Sequence, residues 1–176
     1  MLTPDERKLT ASTTRITQII IFALLAGTAS FFAVVVLMKH DPPQPDQKLA
    51  YMAAASAVAG IIAALVVGSL IISQKRVELA ALPQDGSSDA PTTRDATKLL
   101  EGFQIRRIIQ GALLEGSAFF NLVVYQQQQK TYSLAIAATL MVGLALLFPL
   151  RPLVENWLDC ELRKVRDLRN LRDPRR

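Results

Sequence analysis

One carboxyl group stands inside a hydrophobic stretch of this sequence, and it is the side chain best placed to do chemistry. Glu115 interrupts GALLEGSAFFNLVVY, residues 111–125, whose other members are apolar, small or uncharged. In a membrane span, an ionised acid at this depth would cost on the order of 2.5–3.5 kcal/mol, so the group is expected to hold a proton or to share one with a partner. Three uses are open: a hydrogen bond that pins two helices, reversible binding of H⁺ or Na⁺, or recognition of a partner protein. The candidate hydrogen-bond partners on other helices are Gln18, Thr28 and Thr139.

The element that carries Glu115 is the third of four apolar blocks, each about 20 residues long. Apolar residues make up 51% of the 176-residue chain. A helix of about 20 apolar residues crosses roughly 30 Å of hydrocarbon, and the second and fourth blocks lack the polar stripe of a soluble helix. The sequence therefore predicts an all-α membrane protein with four transmembrane helices. The blocks are residues 16–38, 49–73, 103–125 and 132–150.

Lysine and arginine are distributed unevenly between the segments that flank these blocks. Of the 20 in the chain, 17 lie in the N-terminal arm, in the stretch 75–107 and in the tail from residue 151. Basic residues concentrate on the cytoplasmic side of a membrane, which predicts an inner (plasma) membrane protein with both termini in the cytoplasm. The net charge of +5 is thus a topology signal, and we expect no nucleic-acid partner. The predicted organisation is an N-terminal arm (1–15), a first transmembrane hairpin (16–73), a cytoplasmic linker (74–102), a second hairpin (103–150) and a basic tail helix (151–176).

The two hairpins look like copies of one another. When the sequence is shifted by 89 residues, nine of the 16 residues in 16–31 are identical to their counterparts in 105–120. Both first helices would leave the same side of the membrane, as in a parallel repeat related by an axis along the membrane normal. The copies differ in chemistry, because Ala26 stands opposite Glu115, and Thr17 and Gln18 stand opposite Arg106 and Arg107.

Small residues in the second block predict a close helix–helix contact. They recur every four residues, which places them on one helix face where a neighbouring backbone can approach. The same argument applies to Gly111, one turn before Glu115. A homo-oligomer could use such surfaces, although any compact bundle needs them. The predicted helix-packing residues are Ser56, Gly60, Ala64, Gly68 and Gly111.

The termini show two further helix signals. Thr3, Pro4 and Glu6 match a helix start, with a threonine cap, a proline in the first turn and a glutamate that closes a capping box. After Pro149 and Pro152, apolar residues recur at spacings of three and four, which predicts an amphipathic helix with basic residues on its other faces. This tail helix could lie on anionic lipid, with Trp157 near the interface, or bind a protein partner. Its apolar stripe is Val154, Leu158, Leu162, Val165 and Leu168.

Motifs for catalysis or cofactor binding do not occur in the sequence. The single cysteine, Cys160, and the single histidine, His40, do not form a metal-binding cluster, so neither a metal nor a cofactor is expected. The chain has no phosphate-binding glycine loop and no Gly-x-Ser-x-Gly elbow. We expect the protein not to be an enzyme.

One segment resembles a known family. IIQGALLEGSAFFNLVVY, residues 108–125, is similar to the carboxylate-bearing helix of the rotary ATP synthase subunit c and V-type proteolipid family, and the two-hairpin build is similar to that of the duplicated proteolipids. The resemblance implies an ion-carrying role for Glu115. The chain differs from the family in placing the acid on the first helix of its hairpin, in lacking the family's glycine-rich partner helix, and in carrying a basic tail.

Two functions follow as hypotheses. The first is a non-enzymatic membrane scaffold or accessory subunit, whose tail meets lipid or a partner. The alternative is a proton- or sodium-translocating or ion-coupled subunit that works through Glu115.

Overall fold

The computed structural model describes residues 3–38, 47–81 and 93–172, and every regular element in these ranges is a helix. The prediction of an all-α protein is confirmed. His40 and much of the predicted linker lie outside the described residues. Helix α2 continues to Ala81 and α3 begins at Thr93, so both ends of the segment predicted as linker are helical. The helices are α1 (Pro4–Leu37), α2 (Gln47–Ala81), α3 (Thr93–Gln128), α4 (Thr131–Leu146) and α5 (Arg151–Arg172).

Three of these helices are long and apolar enough to cross a membrane, namely α1, α2 and α3. A fourth crossing would consist of α4 together with α5, which meet at a bend of 67°. The bend follows from Pro149, because proline disfavours helical backbone at the residue before it and cannot donate a backbone hydrogen bond. Helix α4 ends at Leu146, three residues before that proline.

The start of α1 confirms the predicted capping box. The Thr3 hydroxyl accepts a hydrogen bond from the Glu6 backbone N–H at 3.3 Å, and the Glu6 carboxylate accepts one from the Thr3 N–H at 2.6 Å. Pro4 occupies the first turn, where a helix has no use for its missing N–H. These local bonds fix the N-terminal end of a helix 34 residues long.

Helix α3 lies at the centre of the bundle and contacts each of the other four helices. Helices α1 and α2 make no contact with one another along their described residues, because α3 lies between them. The sequence repeat suggested two packed hairpins in tandem, but only the second, α3 with α4, packs as a pair. The first is a connected pair of helices whose partners are both α3. The duplication stays a hypothesis about the sequence; the structure does not repeat the packing.

A very short turn joins α3 to α4. Gln129 adopts a left-handed backbone conformation with φ 52°, and its N–H donates to the carbonyl oxygen of Tyr125 at 2.7 Å. This is the usual way to end a helix abruptly, although glycine is the common residue there. The tight turn holds α4 antiparallel against α3.

At the end of the molecule where Lys and Arg concentrate, the helices continue past the apolar blocks and form a second core. We name this assembly of α1, α2, α3 and α5 the basic-end bundle. The apolar stripe of α5 is buried in it, except that Leu168 is 40% exposed. From Val154 to Val165 the stripe predicted to lie on lipid is therefore covered by the protein's own helices, and the basic faces of α5 are exposed. The buried members are Leu79, Ala96, Leu99, Leu100, Phe103, Val154, Leu158, Leu162 and Val165.

A buried ion pair joins α2 to α5 inside this bundle. The Glu161 side chain is 3% exposed, and its carboxylate accepts hydrogen bonds from the Arg76 guanidinium and from Lys164 Nζ, the latter at 3.0 Å. Burial by itself raises the pKa of Glu161, but the hydrogen bonds and charges of Arg76 and Lys164 outweigh it and hold the pKa below its usual value. The pair locks α5 in register on α2.

Candidate functional site

The small-residue stripe of α2 is the surface on which α3 docks. A Cβ atom added to Gly60 would collide with Ser117 Oγ and would lie 3.3 Å from the carbonyl oxygen of Leu113. One added to Gly68 would collide with the Gln110 amide. Only glycine leaves room for this approach, and the two helices gain van der Waals contact along the stripe.

The α3 side of this contact carries a row of polar side chains, which we name the α3 polar row: Gln110, Ser117 and Asn121. Gln110 Nε2 donates to the carbonyl oxygen of Ala64 at 3.0 Å. Ser117 Oγ donates to its own helix at Leu113, 2.9 Å away, and lies 3.3 Å from the carbonyl oxygen of Ser56.

Asn121 completes the row at its far end. Its Nδ2 donates to the carbonyl oxygen of Ala53 at 3.1 Å and to that of Ser117 at 2.9 Å. Each side chain of the row thus bonds backbone carbonyls of α2 that the small stripe leaves accessible. The arrangement stabilises helix packing, as interhelical hydrogen bonds do in membranes at about 0.6–2 kcal/mol each.

Glu115 lies on another side of α3, at the contact with α1. The residue is half-buried, and a Cβ atom added to Gly27 of α1 would lie 3.8 Å from its Oε1. The residues that the structure describes give its carboxyl no hydrogen bond and no ion pair. Next to it Gly116 faces open space, with no atom within 4 Å of an added Cβ. The carboxyl is therefore held at the edge of the bundle, with one side on α1 and the other uncovered.

The three predicted partners of Glu115 are engaged elsewhere. Thr28 Oγ1 donates to the carbonyl oxygen of Leu24 in its own helix at 2.9 Å. Gln18 Nε2 donates to the carbonyl oxygen of Pro149 at 2.8 Å, which ties α1 to the bend between α4 and α5. Thr139 is exposed and donates to its own helix. The structure thus does not show Glu115 pinning two helices together.

Gly111, the predicted packing residue one turn before Glu115, lies where α1, α3 and α4 meet. A Cβ atom added there would lie 3.0 Å from Leu24 Cδ1, 3.1 Å from Ile21 Cδ1 and 3.5 Å from Leu144 Cδ1. The glycine lets α1 come close at the level just below the carboxyl. The position of Glu115 against α1 follows from that approach.

Two arginines at the start of the same span have an unusual setting that sequence reasoning missed. Arg106 and Arg107 were counted only among the basic residues of the predicted cytoplasmic stretch 75–107. In the structure their Nε atoms are buried and lack hydrogen-bond partners among the described residues. The Arg107 guanidinium lies over the Phe103 ring, 5.3 Å from its centroid.

The α3 polar row was also missed as a site of contact. Gln110 and Asn121 were not among the predicted partners of Glu115, and their joint role against α2 was not predicted either. The signal was present in the spacing, since residues 110, 117 and 121 share one helix face. That face had to be matched with the small stripe of α2 to be recognised.

Metal chemistry finds no support in the described part of the chain. Residues 3–38, 47–81 and 93–172 contain no group of three or more His, Cys, Asp or Glu that could hold a metal ion. The one cysteine, Cys160, is exposed and free.

Comparison with known proteins adds no assignment. No family model, no curated protein and no solved structure matches the chain. The resemblance of residues 108–125 to the proteolipid family stays a prediction, and the functional argument rests on the geometry of α3.

Proposed function

We propose that this protein is a non-enzymatic scaffold or accessory subunit of the inner membrane, with four transmembrane helices and both termini in the cytoplasm. The observation that carries the proposal is the use made of the α3 polar row. Its side chains bond backbone carbonyls of α2 at 3.0–3.3 Å rather than converge on a cavity. Polar groups arranged in this way stabilise a helix pair.

The basic-end bundle supports the same proposal. Its apolar core holds the helix ends together on the cytoplasmic side, and the basic faces of α5 point outward. Arg163 is 71% exposed, and Arg166 is exposed. A surface of this kind suits anionic lipid or an acidic protein partner, as expected for the tail helix. In this proposal α4 and the residues up to Leu150 make the fourth crossing without α5. Helix α5 is then the amphipathic cytoplasmic helix, with its apolar side on the bundle instead of on lipid.

Glu115 favours a second candidate, a subunit that binds H⁺ or Na⁺ reversibly. The group is half-buried at about mid-span and makes no hydrogen bond with any described residue, so its proton is not committed to a structural bond. Intramembrane acids of this kind commonly belong to ion pathways. The resemblance of residues 108–125 to the proteolipid helix points the same way.

Labelling by a membrane-permeant carbodiimide distinguishes the two candidates, because the reagent attacks a protonated carboxyl that lipid or a cavity can reach. The purified protein in liposomes is labelled across pH 5–9 with and without Na⁺, with Glu115→Gln as the blank for other carboxyls. Labelling at Glu115 that Na⁺ does not change supports the scaffold. Labelling that titrates near neutral pH and is blocked by Na⁺, but not by the same concentration of choline, would replace it with the ion-coupled subunit.

A further inference from the structure

The arginine pair at the start of the α3 span has no hydrogen-bond partner among the described residues, although both side chains are partly buried. Neither Arg106 nor Arg107 forms an ion pair or a hydrogen bond with a residue that the structure describes, and both Nε atoms are buried. A buried N–H group without a partner costs about 1–3 kcal/mol, and more when the group is charged. Native proteins rarely leave such groups unmatched, so a partner outside the chain is expected.

The packing around the two side chains holds them in place. Arg106 crosses the small stripe of α2, where a Cβ atom added to Gly68 would lie 3.0 Å from its Nε. Arg107 lies over Phe103, whose ring in turn packs on Trp157 with centroids 5.0 Å apart. Phe103 is 4% exposed and belongs to the core of the basic-end bundle, so its ring gives Arg107 a fixed support. An arginine that merely extended into water would show neither the aromatic support nor a buried Nε.

Depth in the membrane identifies the kind of anion. Arg107 precedes Glu115 by eight residues, or about 12 Å along the helix axis. The run after it, residues 108–125, contains no Lys or Arg, and its one acid is Glu115. It is long enough to cross the hydrocarbon, so the two arginines lie at its boundary, at the level of the lipid headgroups.

We propose that Arg106 and Arg107 bind the phosphate of an anionic phospholipid headgroup in the leaflet on the basic side. Guanidinium groups donate paired, charge-assisted hydrogen bonds to phosphate oxygens, and basic pockets between transmembrane helices on this side are suited to anionic headgroups. The site is separate from Glu115 and from the exposed basic faces of α5. It does not depend on whether the protein is a scaffold or an ion-coupled subunit.

Native mass spectrometry of the full-length protein in mild detergent tests the proposal. The protein is titrated with phosphatidylglycerol, and retention of the lipid is compared between the parent, Arg106→Gln/Arg107→Gln and the control Arg7→Gln/Lys8→Gln, whose two residues are exposed on α1. Both variants remove two positive charges, but the control residues are exposed. We expect the first variant to retain lipid about tenfold less well and the control to match the parent. Equal loss in both variants, or no loss in the first, overturns the proposal.

Two further experiments test the geometry of the site and the source of the phosphate. Arg106→Lys/Arg107→Lys keeps the two positive charges that favour correct insertion of the protein into the membrane, but it loses the forked geometry of the guanidinium groups. Its lipid retention should therefore lie between those of the parent and the Gln variant. If it binds as tightly as the parent and only total charge matters, the pair is not a built site. Inorganic phosphate is added as a competitor at the same concentrations as phosphatidylglycerol. If phosphate displaces the bound lipid as effectively as added phosphatidylglycerol does, the site binds free phosphate, and the proposal of a lipid headgroup is overturned.

Discussion

Two sides of the same helix differ in how they treat their polar side chains. On the side that faces α2, the amides of Gln110 and Asn121 and the Ser117 hydroxyl all donate to backbone carbonyls. On the side that faces α1, Glu115 makes no such bond with any described residue. The difference teaches that polar residues in one membrane span can have different structural roles. The neighbouring helix decides whether it is a packing device or a free group.

A second carboxyl sharpens the contrast. Glu161 is more deeply buried than Glu115, yet it is fully engaged by Arg76 and Lys164. Inside the basic-end bundle, the structural acid Glu161 thus has two cations at hydrogen-bonding distance. Glu115 lacks them, which is why it is the candidate for chemistry.

The largest effect is expected from closing the small stripe. Gly60→Leu places a side chain where Ser117 and the Leu113 carbonyl already lie, and we expect the free energy of unfolding to fall by about 3 kcal/mol or more. Gly116→Leu is the matched control, because that glycine faces open space. Reversible denaturation in mixed detergent micelles measures both. Equal losses in the two variants would contradict the assignment of the stripe to the α2–α3 contact.

Loss of the Glu161 carboxylate comes next. Glu161→Gln leaves Arg76 and Lys164 without their anion, and because Arg76 is 31% exposed we expect about 2 kcal/mol of destabilisation, less than for a fully buried pair.

The pH dependence of that loss follows from the lowered pKa of Glu161. Because the folded state holds the proton less tightly than the unfolded chain does, the stabilisation is complete above the ordinary glutamate pKa of about 4.3 and is lost as the pH falls through the lower folded value. The difference in unfolding free energy between parent and Glu161→Gln should therefore shrink on acidification below about pH 4. A difference that persists unchanged at pH 2 would mean that the ion pair is not its cause.

Removing one bond of the α3 polar row is expected to cost less. Asn121→Leu deletes the hydrogen bond to Ala53 while keeping the number and branching of the side-chain heavy atoms, so the unfolding free energy should fall by about 1 kcal/mol. Thr139→Val is the control, since that hydroxyl bonds only its own helix and is exposed. If the unfolding free energy of Thr139→Val falls as much as that of Asn121→Leu, the interhelical hydrogen bonds do not stabilise the fold.

Glu115→Gln should change stability least. No hydrogen bond of the carboxyl to a described residue is lost, and the amide fits the same space, so we expect a change below about 0.5 kcal/mol. A much larger loss in the same denaturation assay would reveal a structural bond at Glu115 and would remove the contrast between the two sides of α3.

Local sequence signals settled much of the architecture. The capping box at Thr3 and Glu6 and the break at Pro149 depend on backbone chemistry within a few residues, and the structure shows both. The lengths of the apolar blocks set three spans, with a fourth if α4 and α5 together cross, because bilayer thickness fixes how many apolar residues a helix needs.

What the sequence alone determined is thus the chemistry that each helix carries: the small face of α2, the stripe of α5 and the lone acid in the apolar block of α3, residues 103–125. Which helix meets which face was decided only in the tertiary structure. The repeat suggested that α1 would pair with α2, but α3 occupies the small stripe, because its polar row bonds the carbonyls exposed there. Packing in the basic-end bundle likewise covered the stripe of α5. The helices that can cover a given helix face lie far away in the sequence and compete for it. No pattern within one helix therefore reveals that Glu115 has no hydrogen-bond partner among the described residues.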